Sequence, residues 1–434
     1  MRTYKNWPAN YPDPNWFLHD RFGLFIHFGL FSIGARHEWF MTTEKIEPTT
    51  YRENYFSQFD PDLFNAEEWA QTAKKAGFQY MVFTTKHHEG FALWDTALSD
   101  YKVTNTPFKR DLLAELLPAF RKVGIKVGLY HSLIDWYHPD FTLDGLHPQR
   151  ETIQARQTND QRDMRRYQDF LAGQVTELLT NYGTIDYMWF DFPYSHRDWG
   201  WSKGKGAADW DSKRIEEICR SLQPEMLLND RLDLGRGITT PEQFQPDKPL
   251  EANGLPLIWE ACQTMYETWG YDRDAQHWKS SEMMTKMLID TVAKDGNFLL
   301  NIGPNARGEI NLPTRGHLEA IGSWMHYHQQ AIIGCGASTF QPPIDSRYTQ
   351  NGNKLYLHLF SYPYKSLHLP GLAGCVKHIR FLHDGSELFY RGFDPEEVLT
   401  STEAIINKED LVLSLPVCPP DVLVPVVEIT LKEI

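Results

Sequence analysis

The chain is poor in the features that mark disulfide-bonded, membrane-spanning or nucleic-acid-binding proteins. Its 434 residues include five cysteines, Cys219, Cys262, Cys335, Cys375 and Cys418, an odd number, widely spaced and with no C-x-x-C pair. Neither a disulfide framework nor a zinc site is expected from them, and a reducing compartment is the simpler inference. No run approaches the roughly 18 apolar residues of a membrane span, so membrane insertion is not expected. Positive charge is also in deficit: 43 Lys and Arg against 57 Asp and Glu give a net charge of −14, which argues against a polyanionic partner such as nucleic acid. The opening MRTYKNWPANYPDPNW has no apolar stretch after its early basic residues. The expectation is therefore a cytoplasmic protein, or one whose leader has been removed.

Aromatic residues, by contrast, make up 14% of the chain, with 14 Trp beside 17 His. Many lie near expected strand ends, where aromatic faces beside polar groups suit a pyranose, which has an apolar face and a rim of hydroxyls. With 41% hydrophobic and 23% charged residues, the composition is that of a globular protein larger than one ordinary core.

Up to about residue 335, short apolar runs alternate with amphipathic segments, the pattern of repeated βα units. Strands are expected at Leu24–Phe28, Tyr80–Thr84, Lys126–Tyr130, Tyr187–Phe190, Met226–Asn229, Leu257–Trp259 and Phe298–Ile302. Helical spacing marks Ala66–Ala76, Leu112–Val123, Arg162–Tyr182, Trp210–Leu222, Glu282–Ala293 and Leu318–Gln330. The fold class is α/β, an irregular (β/α)8-like barrel with one strand not legible, over residues 1–335. Beyond it the texture becomes alternating strands between turn residues, predicting a C-terminal antiparallel β-sandwich domain over 336–434.

Polar clusters follow the expected strands in turn: His27, then Glu38-Trp39; His87-His88-Glu89; Tyr130-His131, then Asp135-Trp136; Asp191; Asn229-Asp230-Arg231; and Trp259-Glu260. In a parallel barrel these converge at one mouth. Asp191 ends the run Tyr187-Met188-Trp189-Phe190-Asp191, so a carboxylate stands where barrels place their chemistry; taken alone, it serves equally as a loop cap or an arginine partner. His87 and His88 are not expected to hold a metal, since adjacent strand-end residues point apart and no further ligand spacing accompanies them. Cleaving a glycosidic bond with retention requires a second carboxyl about 5–5.5 Å from the nucleophile. Glu242, Glu251 and Glu260 are candidates, with the Trp259 face a reason for Glu260 to stay protonated.

The chain resembles the retaining α-L-fucosidases of glycoside hydrolase family 29. The resemblance runs in order through FGLFIHFG (22–29), Glu38-Trp39, TKHHEGF (85–91), Gly128-Leu129-Tyr130, Trp189-Phe190-Asp191, Asn229-Asp230-Arg231 and GNFLLNIGP (296–304). It implies that Asp191 is the nucleophile and that His27, Glu38, Trp39, His87, His88, Tyr130, Trp189 and Arg231 form a fucose pocket. By the same resemblance Glu242 best matches the acid/base, with Glu260 second, and no cofactor or metal is required. Three residues depart from the family pattern: Phe28 stands for a usual Trp, Glu89 for a common Asp, and Phe192 for a frequent Gly. The segment from Phe192 to Gly206 reads as an aromatic insertion beside the active site. The implied activity is exo-hydrolysis of terminal α-L-fucosyl residues from glycoconjugates or oligosaccharides. The alternatives are an α-L-galactosidase or related L-sugar glycosidase, a non-catalytic fucose-binding protein, and a metal-dependent hydrolase using His87, His88 and Asp191. Linkage preference and oligomeric state stay open, a homo-oligomer included.

Overall fold

The computed structural model describes residues 3–394 and 406–432. Seven parallel strands form one curled sheet: β1 (Phe22–Ile26), β2 (Tyr80–Lys86), β3 (Lys126–Ser132), β4 (Tyr187–Asp191), β5 (Leu227–Leu228), β6 (Glu260–Thr264) and β7 (Asn297–Ile302). Their order is β5-β4-β3-β2-β1-β7-β6. Almost every residue in them is buried, as strands covered on both faces require.

The two sheet edges, β5 and β6, are bridged by the segment 238–243. Isolated parallel bridges join Asn229 to Ile238, Thr239 to Trp259 and Glu242 to Cys262. Backbone bonds run Ile238 N to Leu228 O at 2.9 Å, Glu260 N to Thr239 O at 2.9 Å and Gln243 N to Cys262 O at 3.0 Å. This is the eighth strand position, and Pro241, which has no N–H, prevents a continuous ladder there.

The main helices, α1 (Ala66–Ala76), α2 (Leu112–Lys122), α3 (Met164–Asn181), α4 (Ser212–Leu222), α5 (Ser281–Val292) and α6 (Leu312–His328), correspond to the six expected from spacing, with α6 starting six residues before the expected Leu318. Their ends carry local signals. Asn65 accepts from Glu68 N, Glu67 and Glu68 lie in the first turn of α1, Lys74 and Lys75 in its last, and Gly77 closes it at φ +94°.

A second, antiparallel region packs beside the barrel. One sheet, in the order β8-β9-β10-β15-β12, comprises β8 (Gly336–Ala337), β9 (Ser346–Asn351), β10 (Lys354–Leu359), β12 (Val376–Phe381) and β15 (Val426–Leu431). The other, in the order β11-β14-β13, comprises β11 (Ser366–Leu369), β13 (Tyr390–Arg391) and β14 (Leu411–Ser414). Their facing residues, among them Leu357, Ile379, Leu369, Leu413 and Ile429, form a separate core. Trp324 of α6 donates to Val424 O at 2.8 Å, and Arg347 donates to Asp290 of α5 at 2.6 Å, tying this region to the barrel helices.

One strand expectation needs correction. The apolar run Leu257–Trp259 precedes the sixth strand, which is the more polar Glu260–Thr264. Glu260 therefore opens β6 at the amino-terminal end of the barrel and does not close a strand at the mouth.

Candidate active site

Alternation along β4 sorts its side chains. Met188 and Phe190 join the layer between sheet and helices, whereas Tyr187 and Trp189 face the barrel interior with Phe25, Tyr80, Val82 and Tyr130. Asp191, two residues on, continues the interior face at the mouth. Its Oδ2 accepts from the Tyr130 hydroxyl at 2.7 Å and its Oδ1 from Arg231 Nη1 at 2.8 Å.

The same guanidinium donates from Nη2 to Glu242 Oε2 at 2.7 Å and from Nε to Thr240 Oγ1 at 3.0 Å. Asp191, Arg231 and Glu242, from three separate stretches of chain, thus meet on one side chain. The Arg231 guanidinium carbon also lies 4.7 Å from the Trp189 ring centroid, and that ring stacks on Tyr130 at 5.6 Å. Burial raises the Asp191 carboxyl above its usual value and the Glu242 charge adds to this, while Arg231, the Tyr130 hydrogen bond and His87 pull it down. The Asp191 side chain is 11% exposed and that of Glu242 37%, so the two carboxyls differ in access to solvent.

His27 and His88 are held as neutral acceptors. Burial, reinforced by the proximity of His87, lowers both His27 and His88 well below their ordinary value. Asn301 Nδ2 donates to Trp269 O at 2.7 Å, which turns its Oδ1 toward His27 Nδ1 at 2.6 Å. An amide oxygen only accepts, so His27 carries its proton on Nδ1 and leaves Nε2 bare. The Ser132 hydroxyl donates to Ile134 O at 2.8 Å and must accept from His88 Nδ1 at 2.6 Å. His88 Nε2 is then a bare acceptor 3.8 Å from Asp191 Oδ2. Two bare ring nitrogens, one of them beside the Asp191 carboxylate, suit a ligand that brings donors, as hydroxyl groups do.

His87 stacks on Tyr130 at 5.6 Å and lies 4.1 Å, centroid to centroid, from His88. The two rings are neighbours and do not point apart, because β2 ends at Lys86 and strand alternation no longer applies. Among the described residues no group of three or more His, Cys, Asp or Glu is arranged to hold a metal ion. Glu38 Oε2 accepts from the backbone N–H of Trp269 at 3.0 Å and of Gly270 at 2.8 Å, fixing the loop after β6. Trp39 packs its ring on His88 at 4.8 Å and on Trp136 at 5.4 Å.

Glu260 lies apart from this cluster, a layer below it. Fully buried, it accepts from Tyr80 at 2.5 Å, Tyr187 at 3.2 Å and Trp189 Nε1 at 3.3 Å. Tyr80 and Tyr187 open their strands, so this carboxyl belongs to the barrel floor. Burial pushes it up to about 7. The expectation that it stands beside Asp191 at the mouth is corrected: its reach into the site is indirect, through Trp189.

Trp269, Asn301 and Ser132 are site residues that strand-end reading missed. Trp269 sits 5.2 Å from His27 and 5.8 Å from Phe25, centroid to centroid. It follows the true end of β6, and ending that strand at Trp259 hid its exit loop; the Trp269-Gly270 pair in that loop was the available signal.

Comparison with known proteins identifies the family. A family model described as alpha-L-fucosidase matches residues 3–330. The chain is 31% identical to the tissue alpha-L-fucosidase of Homo sapiens over 394 residues, 83% of this chain and 79% of that protein. Alpha-L-fucosidase isoenzyme 1 from Paenibacillus thiaminolyticus superposes with a TM-score of 0.89 at 41% identity, covering 97% of this chain and 99% of that one. A GH29 alpha-L-fucosidase from Bacteroides thetaiotaomicron, trapped as a covalent intermediate with 2-fluoro-fucosyl fluoride in a Glu-to-Gln variant, superposes with a TM-score of 0.81. It is 26% identical, and the match covers 100% of both chains. With an interior-facing Asp at the end of β4, a second carboxyl on the same arginine and a family model spanning the barrel, the chain belongs to the α-L-fucosidase family of glycoside hydrolases.

Proposed function

We propose that the protein is a retaining exo-α-L-fucosidase that removes terminal α-L-fucosyl residues from glycans or oligosaccharides, with Asp191 as nucleophile and Glu242 as acid/base. The observation that carries this reading is the single guanidinium of Arg231 bonded to both carboxyls. A spacing set by one guanidinium suits the close pair, about 5–5.5 Å apart, that a double displacement uses.

An Asp191 oxygen attacks the anomeric carbon as its bond to the glycosidic oxygen breaks, and Glu242 gives that oxygen a proton. Glu242, now a carboxylate, takes a proton from water. The water oxygen then bonds the anomeric carbon and frees Asp191. The bare Nε2 atoms of His27 and His88 accept hydrogen bonds from hydroxyl groups of the sugar. Phe25, Tyr130, Trp189 and Trp269 supply an aromatic surface that favours the C6 methyl of L-fucose over the C6 hydroxyl of L-galactose, by a modest factor of about 10² at most.

Asp191→Gly tests the assignment. Hydrolysis of an aryl α-L-fucoside should collapse, and added azide should restore turnover with a β-linked azide as product. Near-normal activity without azide would end the assignment.

A further inference from the structure

Phe192, the residue after the proposed nucleophile, departs from the local rules of strand geometry. Continued alternation would turn the side chain at 192 away from the face that bears Tyr187, Trp189 and Asp191. Phe192 instead takes φ +85°, in the left-handed region that glycine enters freely and a bulky L residue avoids. Its half-buried ring comes to rest 5.1 Å from Trp39, 5.3 Å from His88 and 5.7 Å from Tyr194, centroid to centroid.

Such a conformation persists where its surroundings over-determine it. Here Tyr194 is fully packed and donates to Asp144 at 2.5 Å, and Asp144 pairs with Lys205; all three are buried. This anchor spans both ends of the 192–206 segment and the loop after β3, so the chain is held in the turn that aims the Phe192 ring back at the mouth. On the far side, the His88 ring is bounded by His87 at 4.1 Å, Trp39 at 4.8 Å and Trp136 at 5.4 Å. Phe192 supplies a further aromatic wall and touches Trp39 as well. A glycine would adopt the same φ without strain and leave that wall open.

We infer that Phe192 is a positioning residue for the proposed fucosidase reaction: its strained backbone presses an aromatic ring onto His88 and Trp39 and holds both in register with Asp191. The inference rests on the functional reading above. On that reading His88 and Trp39 meet the sugar in the ground state and the transition state alike, so loosening them weakens binding more than it slows the chemical step.

The test compares wild type, Phe192→Gly and Phe192→Tyr on an aryl α-L-fucoside, with thermal midpoints measured alongside. In the glycine variant, relief of the left-handed backbone offsets the lost ring contacts, and the midpoint stays within about 3 °C of wild type. Its KM rises about tenfold while kcat stays within about threefold. The tyrosine variant keeps the ring and returns KM to within about twofold. A glycine variant with unchanged KM, or a KM defect that tyrosine does not reverse, overturns the role of Phe192. Absence of wild-type turnover on the same fucoside would instead overturn the fucosidase reading, so the two failures are distinct.

Discussion

Replacing Glu260 by glutamine should change how the stability of this protein depends on pH. Burial holds the Glu260 carboxyl at about 7, against an ordinary value of 4.5. The gap of about 2.5 units, at 1.36 kcal/mol each, is worth about 3 kcal/mol. No solvent discount applies, because the side chain is fully buried. The folded state binds this proton more tightly than the unfolded chain. Below about pH 4.5 both states are protonated and Glu260 costs nothing; between about pH 4.5 and pH 7 stability falls as the unfolded carboxyl ionises first; above about pH 7 the loss is complete. About 2 kcal/mol of it falls between pH 5 and pH 7.5. The buried histidines, lowered by desolvation, change stability in the opposite sense over part of this range, so the informative quantity is the difference between wild type and Glu260→Gln. Glutamine is isosteric and uncharged, and the Tyr80 hydroxyl can turn to accept from its amide. Denaturant unfolding of both proteins at pH 5 and pH 7.5 should show the variant gaining about 2 kcal/mol on wild type at the higher pH. A difference constant within about 0.5 kcal/mol, or one that moves in favour of wild type, would refute the placement of Glu260 as a desolvated carboxyl in the barrel floor.

Two further outcomes follow from the mouth of the barrel. Arg231→Met removes the largest influence lowering the Asp191 carboxyl, so the acid limb of the kcat/KM profile should move to higher pH, with kcat/KM down at least about 100-fold; an unmoved limb would separate Arg231 from Asp191. Glu242→Gln should cut turnover of a fucosylated oligosaccharide by about 10²–10⁴, spare the first step with a good aryl leaving group, and respond to azide with an α-linked product. Equal losses on both substrates would remove Glu242 from the acid role.

The parts that were legible share a physical signature. Strands β1 to β4 and β7 each carry an apolar run because helices cover the outer face and side chains fill the inner one, and Asp191 was visible as the polar residue that stops such a run. Where polar residues are buried with partners, that signature vanishes. β6 reads Glu-Ala-Cys-Gln-Thr, all buried, and the apolar run before it drew the strand to the wrong place. The 238–243 segment escaped notice because Pro241 and isolated bridges leave no periodicity to read. β9, Ser346–Asn351, was too polar to stand out.

Taken alone, the sequence determined the class of fold, the place of Asp191, the proposed nucleophile, at a strand end, and, through its ordered motifs, the family. These depend on local patterns: hydrophobic period, strand-end chemistry and short motifs. The relation of Asp191 to Glu242, the descent of Glu260 to the barrel floor and the direction of the Phe192 ring were decided by tertiary structure alone. Closing a curled sheet brings residues some fifty positions apart onto one arginine, and the sign of one backbone angle turns a side chain toward the site or away from it. Neither is encoded in the neighbourhood of any single residue.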